Sequence, residues 1–175
     1  MPFPLAHPAA VLPLRRCRSF DFAALVIGSI TPDLAYLSGP FHLEDLSHSL
    51  PGAILFCLPA GLLAFWGYRR LALRVWPASR NTDLAQPLSL RGWARIALSL
   101  LVGTLTHLLW DSFTHKSGWF VQRLPLLRLP LTTMFGHQVR VFHVLWYGCS
   151  FAGVALLYIV YERTVGACPG ACRSA

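Results

Sequence analysis

Three long apolar runs leave this chain few ways to fold, because they carry more apolar surface than a small soluble protein can bury. They cover Leu50–Tyr68, Ala94–Asp111 and Val141–Tyr161. Of the 175 residues, 55% are hydrophobic and 13% are charged, and that charged fraction is about half the share in an ordinary soluble domain. At about 1.5 Å per residue, each run approaches the ~30 Å hydrocarbon core of a membrane. We therefore expect an all-α fold, a small bundle of about three membrane-spanning helices.

A fourth apolar run, Phe20–Ile30, is too short to cross a membrane by itself. Up to Pro32 it covers about 20 Å, so it can span only by continuing to Leu37. Basic residues precede the run, as in a signal peptide, but no small-x-small cleavage pattern follows it. We expect an uncleaved helix that either crosses the membrane or re-enters it. Residues 1–163 then form a single membrane-embedded helical domain, and 164–175 form a disordered tail.

The net charge of +8 comes from arginines that lie beside the apolar runs rather than in one continuous basic stretch. The loop 69–95 holds six of them against one acidic residue, which predicts that this loop faces the cytoplasm. The broken stretch 116–140 is expected to lie on the membrane surface. Membrane lipid is therefore the expected partner and nucleic acid is not. The pattern identifies no protein partner.

Ionisable side chains at the end of the second long run are costly in a membrane and need compensation. His107, Asp111 and His115 are each four residues apart, so a helix places them on one stripe. If the basic loop faces the other side, Asp33 and His48 reach the same side as Asp111. Imidazole and carboxylate groups suit zinc, iron, nickel and manganese. We predict a shared polar site, which is either a metal centre or a hydrogen-bonded cluster.

Each of these residues also has a plainer interpretation. Asp33 follows Thr-Pro and can cap a helix end, and His48-Ser49-Leu50-Pro51 can begin the next span as its N-terminal cap. His107 and Asp111 can form a hydrogen-bonded pair of their own. No Gly-x-Ser-x-Gly motif, Cys–His nucleophile pair or phosphate-binding loop offers another catalytic centre. A transporter is a third class of function, but its polar groups would line a path across the membrane.

Five motifs in order cover almost the whole chain. They are Met1-Pro2-Phe3, His7-Pro8-Ala9-Ala10-Val11-Leu12-Pro13-Leu14, Val26-Ile27-Gly28-Ser29 with Pro32-Asp33, His48-Ser49-Leu50-Pro51-Gly52, and Thr106-His107-Leu108-Leu109-Trp110-Asp111-Ser112-Phe113-Thr114-His115. Together these motifs resemble a bacterial family called domain of unknown function 4184. That family is similar in turn to bacterial inner-membrane proteins described as metal-dependent hydrolases. The chain departs from the family pattern at Pro4, where Thr is usual, and after Leu145, where Gln is frequent.

This resemblance implies a divalent metal ion, zinc or manganese, and an integral protein of a bacterial cytoplasmic (inner) membrane. It implies a hydrolase, and because a site at the membrane interface meets lipids, we expect a phosphoester or another lipid-derived substrate. The alternative is a non-enzymatic membrane protein whose His/Asp cluster is structural or binds a partner. The implied metal ligands are His7, Asp33, His48, His107 and Asp111, the expected catalytic residues are Asp33, Asp111 and His115, and the expected substrate-binding residues are Arg123, Arg128 and Arg140.

Overall fold

The computed structural model of the protein describes residues 3–41, 43–75, 88–134 and 136–166. These residues are mostly helical, with one two-stranded sheet, which confirms the all-α prediction. Most of the expected C-terminal tail, residues 167–175, lies outside the described part. The chain divides into two compact units, Val11–Leu109 and Met1–Ala10 with Trp110–Ala175. We call them the first and the second unit. The single-domain organisation expected from the sequence stays a prediction.

Three helical segments are long and apolar enough to cross a membrane, and a shorter apolar helix precedes them. The short helix covers Phe22–Leu37, and the long segments are Leu50–Val75, Leu90–Arg123 and Val141–Thr164. This arrangement confirms the expected bundle with three firm spans and a short N-terminal helix.

The first unit is built on two long helices and several short ones. Asp21 begins helix α1, because its carboxylate accepts a hydrogen bond of 2.9 Å from the amide of Ala24. Ser49 caps helix α3 through Gly52 N, with Pro51 in the first turn, as one reading of the sequence expected. In chain order the elements are a 3-10 helix Pro4–Arg16, α1 (Phe22–Ile30), a 3-10 helix Thr31–Phe41, α2 (Glu44–Ser47), α3 (Leu50–Val75) and α4 (Leu90–Thr114). The start of the first 3-10 helix, up to Ala10, and the end of α4, from Trp110, belong to the second unit.

Helix α3 contains one wide turn, a π-helical stretch over Ala53–Cys57. Its last bond runs from the amide of Leu58 to the carbonyl of Ala53, five residues back. Pro59 follows at once and has no amide hydrogen for the carbonyl of Leu55, with which its ring would clash in an ordinary helix. A wider turn before the proline is therefore the local response to Pro59, and π turns of this kind are a recognised cause of helix bending.

Glycines let α1 and α4 approach each other closely in the first unit. A Cβ atom at Gly28 would lie 2.8 Å from Cα of Leu100, and one at Gly103 would lie 2.8 Å from the amide of Ser29. The hydroxyl of Thr104 donates to the carbonyl of Gly28 at 3.2 Å. Small residues are typical of tight helix contacts in membranes. The crossing continues into a core of Ala24, Phe65, Ile96 and Leu100.

The second unit contains a β-hairpin that the sequence did not predict. Strands β1 (Pro130–Met134) and β2 (His137–Arg140) pair antiparallel, with an irregularity between Pro130 and Thr132. Gly136 in the turn has φ of +79°, a conformation that glycine adopts readily. The surface location expected for 116–140 stays a prediction. The unit also contains α5 (Trp119–Arg123), a 3-10 helix Pro125–Arg128, α6 (Val141–Gly166) and a core of Val121, Leu127 and Phe142.

The N-terminal segment of the second unit lies against helix α6. The amide of Phe3 donates to the hydroxyl of Ser150 at 3.3 Å. A Cβ atom at Gly153 would lie 3.0 Å from the carbonyl oxygen of Ala6, so glycine leaves room for the segment. This contact fixes the position of the neighbouring His7, which is buried.

Candidate metal centre

His107, near the C-terminal end of α4, is completely buried and has a fixed ring orientation. Its Nδ1 atom lies 2.7 Å from the carbonyl oxygen of Ser29. A carbonyl can only accept a hydrogen bond, so Nδ1 is the donor. In the neutral ring the lone pair is therefore on Nε2, which lies 3.7 Å from Oδ1 of Asp33.

His48, between α2 and α3, has the same arrangement. Its Nδ1 atom lies 2.9 Å from the carbonyl oxygen of Glu44, so this nitrogen also carries the hydrogen. Its Nε2 atom lies 3.7 Å from Oδ1 of Asp33, the oxygen that His107 also faces. The side chain of His48 is 21% exposed, whereas that of His107 is fully enclosed, so the cluster has an open side at His48.

Asp33, in the 3-10 helix after α1, is the residue on which both imidazoles converge. Its side chain is only 6% exposed. Its second oxygen, Oδ2, is buried and accepts no hydrogen bond from any residue that the structure describes. A buried carboxylate oxygen without a donor is costly, since nothing replaces the water that it loses on burial. A cation beside this carboxylate would remove that cost.

The three ligand atoms of Asp33, His48 and His107 all lie within 4.8 Å of one another. Ligands at about 2.1 Å from a tetrahedral ion lie roughly 3.4 Å apart, close to the two observed separations of 3.7 Å. A separation of 3.7 Å is too long for a hydrogen bond. Two nitrogen lone pairs therefore face one carboxylate oxygen, an arrangement that a positive charge between them stabilises. These residues fit a divalent ion.

A second cluster of the same residue types lies in the second unit. Oδ1 of Asp111 lies 3.8 Å from Nε2 of His7 and 3.3 Å from Nδ1 of His115. Helix α4 ends at Thr114, whose hydroxyl lies 3.4 Å from Nδ1 of His115. His115 follows the last residue of the helix, so its contact with Asp111 is made across the helix end. His7 and Asp111 are buried and His115 is partly exposed.

One family model matches residues 1–169, which is nearly the entire chain, and carries the description domain of unknown function. The chain belongs to the DUF4184 family. No curated protein and no solved structure matches it. The resemblance to DUF4184 that the sequence motifs indicated is thereby confirmed, whereas the relation to metal-dependent hydrolases stays a hypothesis.

In this DUF4184 protein the expected ligands are divided between the two units. Asp33, His48 and His107 come together in the first, and His7 and Asp111 come together in the second. The roles of all five as ligands stay predictions. The sequence did not indicate that the carbonyls of Ser29 and Glu44 orient the two imidazoles. Only the presence of Ser29 in a family motif offered a signal.

The three arginines expected to bind substrate all lie in the second unit, and their role stays a prediction. The guanidinium group of Arg123 stacks on the ring of Trp119, 4.0 Å from its centroid. Arg140 donates to the side-chain oxygen of Gln138 at 3.2 Å, and Arg128 is exposed at the end of a 3-10 helix.

Proposed function

We propose that this DUF4184 protein is a membrane-embedded, metal-dependent hydrolase that holds a divalent ion, zinc or manganese, on Asp33, His48 and His107. One observation carries the proposal. Two imidazoles, each oriented by a backbone carbonyl, direct Nε2 at the same buried carboxylate oxygen from 3.7 Å. Metal-binding histidines generally donate their other ring hydrogen to such an acceptor, which fixes the tautomer and the ring.

The residues of the cluster divide the chemical work between them. A bound divalent ion would polarise an ester or phosphoryl oxygen and acidify water at the same place. His107 is held rigidly inside the unit, whereas His48 borders the open side through which a substrate can enter. Asp33 has a second oxygen without a hydrogen-bond donor among the described residues, so it can accept a proton from water.

The position of the cluster supports a lipid-derived substrate. His48 lies two residues before helix α3, and His107 lies near the end of helix α4. The cluster is therefore at one end of two apolar helices, the depth at which a membrane protein meets lipid headgroups. We include a phosphoester or other lipid-derived ester as substrate, and a bacterial cytoplasmic membrane as location, in the proposal. Phosphate binding by Arg123, Arg128 and Arg140 also belongs to it.

The alternative is a non-enzymatic membrane protein in which the cluster fixes helix packing, and one observation favours it. The bond from His107 to the carbonyl of Ser29 ties α4 to the end of α1, close to the crossing at Gly28 and Gly103. A buried, hydrogen-bonded imidazole at this position stabilises the contact without any ion. Under this alternative, replacing the cluster residues lowers stability and leaves the metal content unchanged.

Metal analysis of the purified protein separates the two functions. We expect close to one zinc or manganese ion per chain after exposure to equimolar metals and desalting. Asp33→Asn and His48→Ala should lose most of it, because each removes one of three ligands. His137→Ala is the matched control, since His137 is exposed on the hairpin strand β2. Equal metal content in all four proteins would refute the metal site.

Activity is tested afterwards on the metal-loaded protein in detergent micelles. Release of p-nitrophenol from bis-p-nitrophenyl phosphate, and of phosphate or fatty acid from phospholipid, reports the two ester classes. We expect hydrolysis that a chelator abolishes and that Asp33→Asn lowers by at least about 100-fold, as for loss of a metal ligand. A metal-loaded protein without activity on either class would refute the hydrolase and leave the metal site standing.

A further inference from the structure

A pocket of about 230 Å³ lies in the first unit, between the C-terminal part of α3 and the start of α4. The two helices run antiparallel, because His48 contacts His107 at one end and Gly61 lies against Leu100 further along. Trp93, at the pocket, precedes His107 by 14 residues, or about 21 Å of helix. The pocket is therefore at the opposite end from the metal centre. Its lining residues are Phe65, Trp66, Arg69, Arg70, Leu73 and Trp93.

The pocket combines arginine with tryptophan in a fixed arrangement. The guanidinium group of Arg70 lies over the ring of Trp66, one turn earlier on α3, at 4.6 Å from its centroid. Arg69 is partly buried at the same level. A stacked guanidinium group such as that of Arg70 presents its N–H groups at the edge of the stack, where they can bind two oxygens of a phosphate at once. Tryptophan is enriched where a membrane meets water, so the composition matches a headgroup site.

The charge of this end of the unit favours an anion. Helices α3 and α4, up to Leu109, contain five arginines and no acidic residue. Asp21 is the acidic residue at this end of α1, and its carboxylate already accepts the capping hydrogen bond from Ala24. Among the residues that the structure describes, the pocket is lined by two guanidinium groups and no carboxylate. This part of the lining therefore attracts a ligand with one phosphate charge.

We propose that this pocket binds the headgroup of an anionic phospholipid. At roughly 30 Å³ per water molecule, its volume equals seven or eight waters, which accommodates a phosphate with part of its glycerol. The acyl chains then run along α3, whose exposed apolar side chains include Leu55, Leu63 and Leu71, each 62–70% exposed. This site is separate from the proposed metal centre and does not depend on it.

Lipid titration of the purified protein, followed by native mass spectrometry, tests the proposal. We expect phosphatidylglycerol to bind at least about tenfold more tightly than phosphatidylcholine, because only the former carries a net charge. Arg69→Gln with Arg70→Gln should remove most of that preference. Arg74→Gln, one turn beyond Arg70 on the same helix and not among the lining residues, is the matched control and should retain it. Trp66→Leu keeps every arginine and should still weaken phosphatidylglycerol, because the stacking surface is lost.

Several outcomes would overturn the proposal. Equal binding of phosphatidylglycerol and phosphatidylcholine would show that the headgroup is not recognised. If Arg74→Gln lost as much of the preference as the double variant, the lipid would be attracted by diffuse charge and not by a site. Displacement of phosphatidylglycerol by millimolar inorganic phosphate would identify a site for the free anion. Thermal unfolding of each variant in phosphatidylcholine micelles is measured in parallel. A double variant, Arg69→Gln with Arg70→Gln, that unfolds like the parent yet keeps the preference would also refute it.

Discussion

Replacing Gly103 by alanine is expected to damage both the helix crossing and the proposed metal centre. The new Cβ atom would lie 2.8 Å from the amide nitrogen of Ser29 and 3.0 Å from the carbonyl carbon of Gly28, with the carbonyl oxygen of Leu25 nearer still. Ordinary van der Waals contact begins at about 3.5 Å, so α1 and α4 would have to separate by at least about 0.7 Å. All three neighbours are backbone atoms, so no side-chain rotation can relieve the overlap.

The magnitude follows from what that separation disturbs. Overpacking of a tight contact costs about 1–3 kcal/mol, which lowers the folding equilibrium constant by roughly 5- to 150-fold. The Ser29 carbonyl, which orients His107, belongs to the same crossing, and Gly103 is one turn before His107 on α4. Disturbing a partner that orients a metal ligand typically lowers metal affinity by 10- to 100-fold. We therefore expect Gly103→Ala to lose stability and metal together.

Gly67→Ala is the matched control, because no atom of the described residues lies within 4 Å of the position that a Cβ atom would take at Gly67. It is also helical, in α3, where alanine is a better helix former than glycine. Unfolding in mixed micelles with increasing sodium dodecyl sulfate gives the free energies, and a competitive zinc chelator gives the affinities. The control should match or exceed the parent in both. A Gly103→Ala protein as stable and as metal-bound as the parent would refute this account of the crossing.

Three further predictions follow from the described contacts. Ser49→Ala removes the cap of α3 and should lower the free energy of unfolding by about 1 kcal/mol, with Ser150→Ala as a comparison that leaves α3 untouched. Thr104→Val removes the hydrogen bond from the Thr104 hydroxyl to the carbonyl of Gly28. It should lower the free energy of unfolding by only about 0.6 kcal/mol, the mean for such bonds in membranes, and a loss above about 2 kcal/mol would contradict this prediction. A chelator should lower the thermal midpoint of the parent and leave the midpoint of Asp33→Asn unchanged. If the metal was present at 100 times its Kd, the loss for the parent is equivalent to about 2.7 kcal/mol. Equal shifts in both proteins would contradict a stabilising ion at Asp33.

The apolar runs made the long helices predictable, because a membrane span needs length and low charge and both are visible in a sequence. The observed spans begin at Leu50 and Val141, where the runs begin. Helix α3 continues past Tyr68 to Val75 because arginine is a good helix former and the chain has no signal to stop there. The hairpin was missed because both strands are short and mostly exposed and the first begins at a proline, so they show no alternating pattern.

The residues of the candidate site were predictable for a different reason. The direction of each span determines which loop ends share a side, and this argument placed Asp33 and His48 on the same side as Asp111. The proximity of Asp33, His48 and His107 is as expected. The carbonyls of Ser29 and Glu44 were not predictable, because every residue carries a carbonyl and only the fold selects the two that are used. His7 was indicated by the family resemblance and by no pattern of its own.

The wide turn at Ala53–Cys57 affects how relatives of this protein should be aligned. A π turn accommodates one more residue than an α turn, so it acts as a single-residue insertion absorbed within the helix. The side chains after this turn, near the pocket at Trp66, are therefore shifted in helical phase by one residue relative to those before it, near His48. We expect family members without a proline at position 59 to lack one residue in this turn. Gaps placed there would keep both ends of α3 in register.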